Sequence, residues 1–279
     1  MFNLITFASM KLIADSGSTK TDWVLTDGTH VVETFQTQGI NPFHQSEEVI
    51  LSVLREVACS PVAIEFYGSG VRPELVPVME RLLRAVFPSA ESIEAHGDLL
   101  GAARALFGHG EGIACILGTG ANSGLYDGNS IVQNVPPLGY ILGDEGSGAV
   151  LGKRFLNLLY KGFIEDSLKT DFQKDMNISM ADVIDRVYRQ PMPNRFLASL
   201  SLFISRHLDH PQVRQLVIDN FRDFFRRNVA HYQRPDLPVG FVGSIAFHYQ
   251  ELLLEAAAAE GFLVGRIMKS PMERLIALP

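Results

Sequence analysis

Two stretches of this chain repeat one pattern, and that repetition limits the fold more than any other feature. Residues 13–28 read IADSGSTKTDWVLTDG, and residues 115–128, roughly a hundred positions on, read CILGTGANSGLYDG. Each is an apolar run, a turn of small residues, a second run and an Asp-Gly pair, a combination that marks a β-hairpin. An internal repeat at this distance predicts a duplicated domain. The length of 279 residues suits two domains, which we place at 1–108 and 109–279.

Around the hairpins, strands and helices alternate in an α/β order. A third strand is expected over 30–35, then a loop at Gln38–Pro42, because Pro42 disfavours helix at Asn41. Val49, Ile50, Val53, Leu54 and Val57 share one face of a helix expected over 46–57. A buried strand at 62–67 and helices at 73–86 and 98–107 follow. The chain is then mostly helical from Gly148 to Tyr232, and closes on a strand (239–242), a helix (247–260) and a strand (261–268). Trp23, Phe221, Phe224 and Phe225 read as core residues.

Charge and cysteine usage remove several classes of function. Twenty-four basic against 31 acidic residues give a net charge of −7, and there is no Lys/Arg-rich run. Neither nucleic acid nor a membrane surface is therefore an expected partner. Cys59 and Cys115 are the only cysteines. Far apart and flanked by apolar residues, they suit a reducing, cytoplasmic setting as two buried small hydrophobes. No CxxC, HExxH or Cys/His cluster supports a zinc site. His44, His96, His109 and His248 read as surface or structural histidines. The opening MFNLITFASM lacks a basic flank, and Lys11 ends its apolar run too early for a membrane span. Residues 1–9 read as an extension ahead of a first strand that begins at Met10.

The glycine-rich turns do not match the common nucleotide loops. Gly152-Lys153 lacks the spacing of a P-loop, and Gly118-x-Gly120 meets Ser123 where a dinucleotide fingerprint needs glycine. What remains is Asp15-Ser16-Gly17-Ser18-Thr19-Lys20, directly after a strand, where small side chains let backbone N–H groups approach an anion and hydroxyls and Lys20 add donors. Asp15 stands where it can hold Mg2+ through water. One such turn reads as an ordinary hairpin end. With Gly118-Thr119-Gly120 as a second, a clamp on a nucleoside polyphosphate is the better account.

The motifs DSGSTKTDW, GINP, HGDLLGAARALFG, ILGTGANS, GYILGDEGSG and VGSIA occur in this order over nearly the whole chain from Met10. Together they resemble the N-acetylglucosamine kinase branch of the superfamily of acetate and sugar kinases, heat-shock chaperones and actin. The ATPase activators of benzoyl-CoA reductase and 2-hydroxyacyl-CoA dehydratase form a neighbouring branch. The resemblance implies an α/β fold of two ribonuclease-H-like domains, each a mixed β-sheet flanked by helices as in actin-like ATPases, with the ligand cleft between them. It implies ATP and Mg2+, a small sugar substrate phosphorylated at its 6-hydroxyl, N-acetylglucosamine or a close relative, and a homodimer. Ser18, Thr19 and Lys20 would serve the first phosphate turn, with Asp15 at the metal, and Gly118, Thr119 and Gly120 the second. Gly243 and Ser244 would lie beside the adenosine, and Asn41, Gly143 and Asp144 would contact sugar hydroxyls. Asp98 would be the catalytic base, within reach of the substrate. Ser16, Ser18 and Val242 stand where glycines are common in the family, and their side chains would narrow the nucleotide site.

By position alone Asp98 fits two roles, a helix N-cap or a base at a strand-to-helix junction; the resemblance favours the base. Glu145 reads as a carboxylate at the positive end of the following helix. Two other functions stay in view, an ATPase that activates a partner enzyme through an iron–sulfur cluster and a sensor that binds without turnover. The first needs paired cysteines that this sequence does not offer.

Overall fold

The computed structural model describes residues 10–28 and 30–278; the expected extension at 1–9 lies outside them. Both hairpins form, and each opens a five-stranded sheet. The first contains β1 (Lys11–Ser16), β2 (Lys20–Thr26), β3 (Val31–Gln38), β4 (Ala63–Gly68) and β5 (Ser92–Gly97), in the order β3-β2-β1-β4-β5. The second contains β6 (Gly112–Leu117), β7 (Ala121–Tyr126), β8 (Ile131–Asn134), β9 (Val239–Val242) and β10 (Val264–Met268), in the order β10-β9-β6-β7-β8. Within each sheet the first three strands are antiparallel neighbours and the last two run parallel to the first. Order and polarity coincide, so the sequence repeat is a repeat of topology. The chain folds as two mixed sheets flanked by helices, the actin-like ATPase arrangement of ribonuclease-H-like units.

The chain divides into two compact units. One comprises the residues up to His109 with 128–130 and 270–278; the other comprises 110–127 and 131–269. The helix Met272–Ile276 thus sits with the first unit, although the sequence reading ran the second domain to residue 279. Met272 and Leu275 are buried, and the helix contacts β1, β2 and the helix Asp98–Phe107.

In the first unit, Leu12, Ala14, Trp23, Ile64 and Phe66 form one core with the helices Glu47–Leu54 and Val76–Val86. Removing each of the Leu, Ile and Phe side chains from water contributes roughly 1.5–3 kcal/mol. Trp23 is fully buried, and its indole N–H donates to Thr37 Oγ1 at 3.0 Å, which satisfies its one polar atom. Ser46 caps the helix Glu47–Leu54 by accepting from the Val49 amide. Val49 itself faces solvent, so the apolar stripe is narrower than its sequence suggests.

The second core joins Ile113, Cys115 and Leu117 to the helical stretch, with Phe155, Phe172, Phe203, Phe221, Phe224 and Phe225 all buried. The expected helix at 247–260 begins earlier and breaks in two, Ser244–His248 and Gln250–Glu260. At the break, the buried Tyr249 donates its hydroxyl to the Ser201 carbonyl at 2.6 Å. Cys115 is buried as expected, whereas Cys59, beyond its helix, is only partly so. Among the described residues no helix is long and apolar enough to cross a membrane.

Candidate active site

In the first unit, parallel register lines up the carboxyl ends of three strands. Ser16 of β1 lies opposite Gly68 of β4, and Gly68 opposite Gly97 of β5. Open α/β sheets bind ligands at such an edge. Asp15 stands one residue before this row and Asp98 one after it. Asp98 is the first residue of the helix Asp98–Phe107, whose N-cap is Gly97. Its carboxylate accepts from the Leu99 amide at 2.8 Å. The N-cap position itself is taken by Gly97, while the Asp98 carboxylate satisfies a first-turn amide from inside the helix.

Both carboxyls are hard to ionise. Burial pushes Asp15 up to about 7, assisted by the negative charges of Asp98 and Asp22 and opposed by Lys20. Burial pushes Asp98 up to about 6, against hydrogen bonds from the backbone. Like charges held together in a poorly hydrated place favour protons or a cation. Lys20 meets Asp22 at 2.7 Å on the surface, a pairing weak enough to be exchanged for a ligand.

The turn Gly17-Ser18-Thr19 is closed by Gly17 N–H donating to the Lys20 carbonyl at 3.0 Å. Ser18, Thr19 and Lys20 are exposed on it. Ser16 is fully buried and acts as a staple. Its hydroxyl accepts from the Ile40 amide at 2.9 Å and meets Thr21 Oγ1 at 2.7 Å. Gly39 packs beneath the same turn, where a Cβ would fall 2.3 Å from the Gly17 carbonyl oxygen. Of the three side chains expected to narrow the site, Ser16 therefore does not project from the turn, and Val242 is buried in β9; only Ser18 is exposed. Asn41 follows directly, its side-chain oxygen accepting from the Phe43 amide at 3.0 Å and its own amide donating to Gln45 Oε1 at 2.7 Å.

The second unit gathers its predicted residues at the ends of β6 and β9. The turn Gly118-Thr119-Gly120 is closed by Gly118 N–H donating to the Gly120 carbonyl at 3.0 Å. The helix Gly148–Tyr160 pins it from below, as the Gly148 and Ala149 amides donate to the carbonyls of Gly118 and Thr119 at 2.9 and 3.1 Å. Ser147 caps that helix. Asp144, in a left-handed conformation with φ 55°, faces this turn, its Oδ2 lying 3.1 Å from where a Cβ on Gly120 would stand. Burial pushes it up to about 6, against a hydrogen bond from the Ala121 backbone. Gly143 precedes it, its amide donating to the Gly139 carbonyl at 2.7 Å. Gly243 meets the end of β6, and Ser244 starts the next helix, exposed. Glu145 differs from expectation. It pairs with Arg227 at 3.6 Å, lies outside the first turn of the helix, and ties the loop to the helix Pro211–Arg227.

This arrangement has solved relatives. No protein-family model and no curated protein matches the chain. A structure from Porphyromonas gingivalis, named a putative N-acetylglucosamine kinase, shares 50% identity over 96% of this chain and 97% of its own, with a TM-score of 0.93. The chain belongs to the N-acetylglucosamine kinase-like family. A member similarly named, from Chromobacterium violaceum, superposes with a TM-score of 0.72 at 19% identity, covering 97% of this chain and 98% of that one. The fold likeness extends to MreB 5 of Spiroplasma citri bound to AMPPNP, with a TM-score of 0.53 at 10% identity over 96% of this chain and 93% of that one.

The structure adds supporting residues that the sequence did not single out. The Tyr67 ring fills the space above Gly101, one turn along the helix Asp98–Phe107 from Asp98; a Cβ there would lie 2.8 Å from the ring. Arg104 donates to the Tyr67 hydroxyl at 2.8 Å, and that hydroxyl donates to Glu65 at 3.1 Å. A Gly101→Ala variant is expected to lose about 1–3 kcal/mol of stability through overpacking and to show a lower kcat, with the KM for nucleotide unchanged. Adding Tyr67→Leu restores part of both. Denaturant unfolding and steady-state kinetics check this, and a doubly substituted protein worse than the single one refutes the steric account.

Proposed function

We propose that this chain is an ATP-dependent sugar kinase that phosphorylates the 6-hydroxyl of N-acetylglucosamine or a closely related amino sugar. The observation that carries this reading is the placing of Asp15 and Asp98 on either side of the carboxyl edge of the first sheet, in a chain half identical to a relative named for that activity. The raised pKa of Asp15, beside the negative charges of Asp98 and Asp22, suits a divalent ion that keeps several waters. Such an ion supplies charge compensation to the phosphate oxygens when bound.

The chain's own residues divide the remaining work. Ser18, Thr19 and Lys20, and Gly118, Thr119 and Gly120, offer backbone and side-chain donors to phosphate oxygens, and Gly243 and Ser244 take the adenosine. Asn41, Gly143 and Asp144 orient sugar hydroxyls, Asn41 as both donor and acceptor. Asp98 accepts the proton of the 6-hydroxyl as its oxygen bonds to the γ-phosphorus and the bond to ADP breaks. The reading includes a homodimer acting in the cytoplasm, an inference from the family resemblance that light scattering and cell fractionation check.

The activator alternative loses support at its cysteines. Burial raises the Cys115 thiol well above its ordinary value and Cys59 to about 11, so neither favours the thiolate a cluster requires.

The deciding experiment is an ADP-release assay over a panel of hexoses and amino sugars. N-acetylglucosamine or a near relative is expected to give the highest kcat/KM, with sugar-independent ATP hydrolysis far lower; uniform background hydrolysis across the panel removes the proposal. Because a base must be ionised and Asp98 sits at about 6, kcat/KM should fall below about pH 6. An acid limb near pH 4, the ordinary carboxylate value, removes Asp98 as the base.

A further inference from the structure

Lys153, whose spacing after Gly152 excludes a P-loop, has no part in the proposed reaction. It lies in the second turn of the helix Gly148–Tyr160, and that helix is a rigid mount. Gly152 is pressed so closely on the helix Pro193–Ser199 that a Cβ would stand 2.0 Å from the Leu197 carbonyl oxygen, and Leu151 and Phe155 are fully buried. Ala149, whose amide holds the Thr119 carbonyl at 3.1 Å, lies one turn before Lys153 on the same face. Side chains on a helix lean towards its N-terminus, so Lys153 reaches back towards the second phosphate turn.

What it grips is a carbonyl, not an acid. Its Nζ donates to the Tyr140 carbonyl at 2.7 Å, and among the described residues it forms no ion pair. Tyr140 belongs to the four-residue helix Gly139–Leu142, too short to satisfy its own last carbonyls. That helix is part of a closed loop. Leu138 and Asp144, at its two ends, are both left-handed, with φ 62° and 55°, a conformation that L-residues disfavour. The Asp144 amide donates back to the Pro137 carbonyl at 2.8 Å, and the Gly143 amide to the Gly139 carbonyl at 2.7 Å. A loop closed on itself moves as one piece, so fixing the Tyr140 carbonyl fixes Asp144. Charge acts in the same direction: burial raises the Asp144 carboxyl, and the positive charge of Lys153 opposes that rise.

Resting on the assignment of Asp144 to sugar hydroxyls, we propose that Lys153 is a positioning residue for the acceptor sugar. It joins the loop 137–144 to the helix that seats Gly118-Thr119-Gly120, and so presents the Asp144 carboxylate to the sugar at a fixed place beside that turn. A bond that merely capped a helix end would leave sugar affinity unchanged when lost; a positioning bond would not.

Steady-state kinetics of the full chain, with N-acetylglucosamine as acceptor, test this. Lys153→Met keeps the length of the side chain but removes its charge and its donors. It is expected to raise the KM for sugar about tenfold, with kcat and the KM for ATP changed less than about twofold and the denaturant midpoint unmoved. Lys153→Arg, which can still donate to a carbonyl, should recover most of the affinity. Because Lys153 acts through Asp144, the double variant with Asp144→Asn should have a sugar KM no higher than Asp144→Asn alone. A sugar KM in Lys153→Met within about twofold of the parent's, equal rises for sugar and ATP, or additive losses in the double variant overturn the inference. The kinase reading then stands if N-acetylglucosamine is still phosphorylated and Asp144→Asn still raises its KM. Absence of sugar phosphorylation in the parent protein overturns both.

Discussion

Replacing Asp98 by Asn is expected to lower sugar-dependent turnover by about 10²-fold or more while making the protein more stable at pH 8. The two effects come from one cause. Burial raises the Asp98 carboxyl from 3.8 to about 6 in the folded state, so folding favours its protonated form. The corresponding stability is fully present below about pH 4 and is lost as pH rises through 6, leaving an ionised, poorly hydrated carboxylate at pH 8. Asn carries no charge, and its side-chain oxygen can still accept from the Leu99 amide. At 1.36 kcal/mol per unit, the gain at pH 8 is at most about 3 kcal/mol, and it should shrink towards zero at pH 4. Thermal unfolding at both pH values, beside the ADP-release assay, separates a lost base from a lost fold. Retained turnover assigns the proton to another group, and a variant less stable at pH 8 shows that the carboxylate is better satisfied than its burial implies.

Gly243→Ala is expected to cost stability on a comparable scale, about 3 kcal/mol or more. Gly243 has φ 123°, a region that L-residues scarcely enter, and its Cβ would stand 2.3 Å from the Leu117 carbonyl oxygen and 2.8 Å from its carbon. Those neighbours are backbone at the end of β6, so no side chain can swing aside. Relief must come from separating β9 from β6 or from moving Gly118, and the second course should also weaken nucleotide binding. Gly261→Ala is the matched control. Its φ is 79° with nothing within 4 Å of a Cβ, so the backbone penalty alone applies, about 1–2 kcal/mol. Denaturant unfolding of both variants checks the difference; equal costs mean that the contact with Leu117 adjusts freely.

The sequence made some of this legible and hid the rest for physical reasons. Hairpins, turns and the helix after Gly97 depend on residues adjacent in the chain, and the repeat announced itself because both copies kept the same local chemistry. Asp15, Asp98 and the two glycine turns drew attention because their residue types carry chemistry. Tyr67 and the packing roles of Ser16, Gly39 and Gly243 did not, since those roles exist only across sequence-distant contacts. Ser16 reaches Ile40, 24 residues on, and Arg104 reaches Tyr67, 37 residues back. A serine in a turn expected to be glycine-rich reads as an obstruction until its hydroxyl is seen tying two segments together. Likewise, the GINP motif drew attention to Asn41, whereas its first residue, Gly39, seats the first turn.

The helix Met272–Ile276 has a consequence for biosynthesis. Leu275, wholly buried, belongs to the unit built from residues up to His109, yet the ribosome must make everything from 110 to 269 before it emerges. Domains usually fold in order of synthesis. Here the earlier-made sheet must wait with an uncovered apolar surface while the later one completes, so the nascent chain passes through a stage in which its oldest part is the least finished.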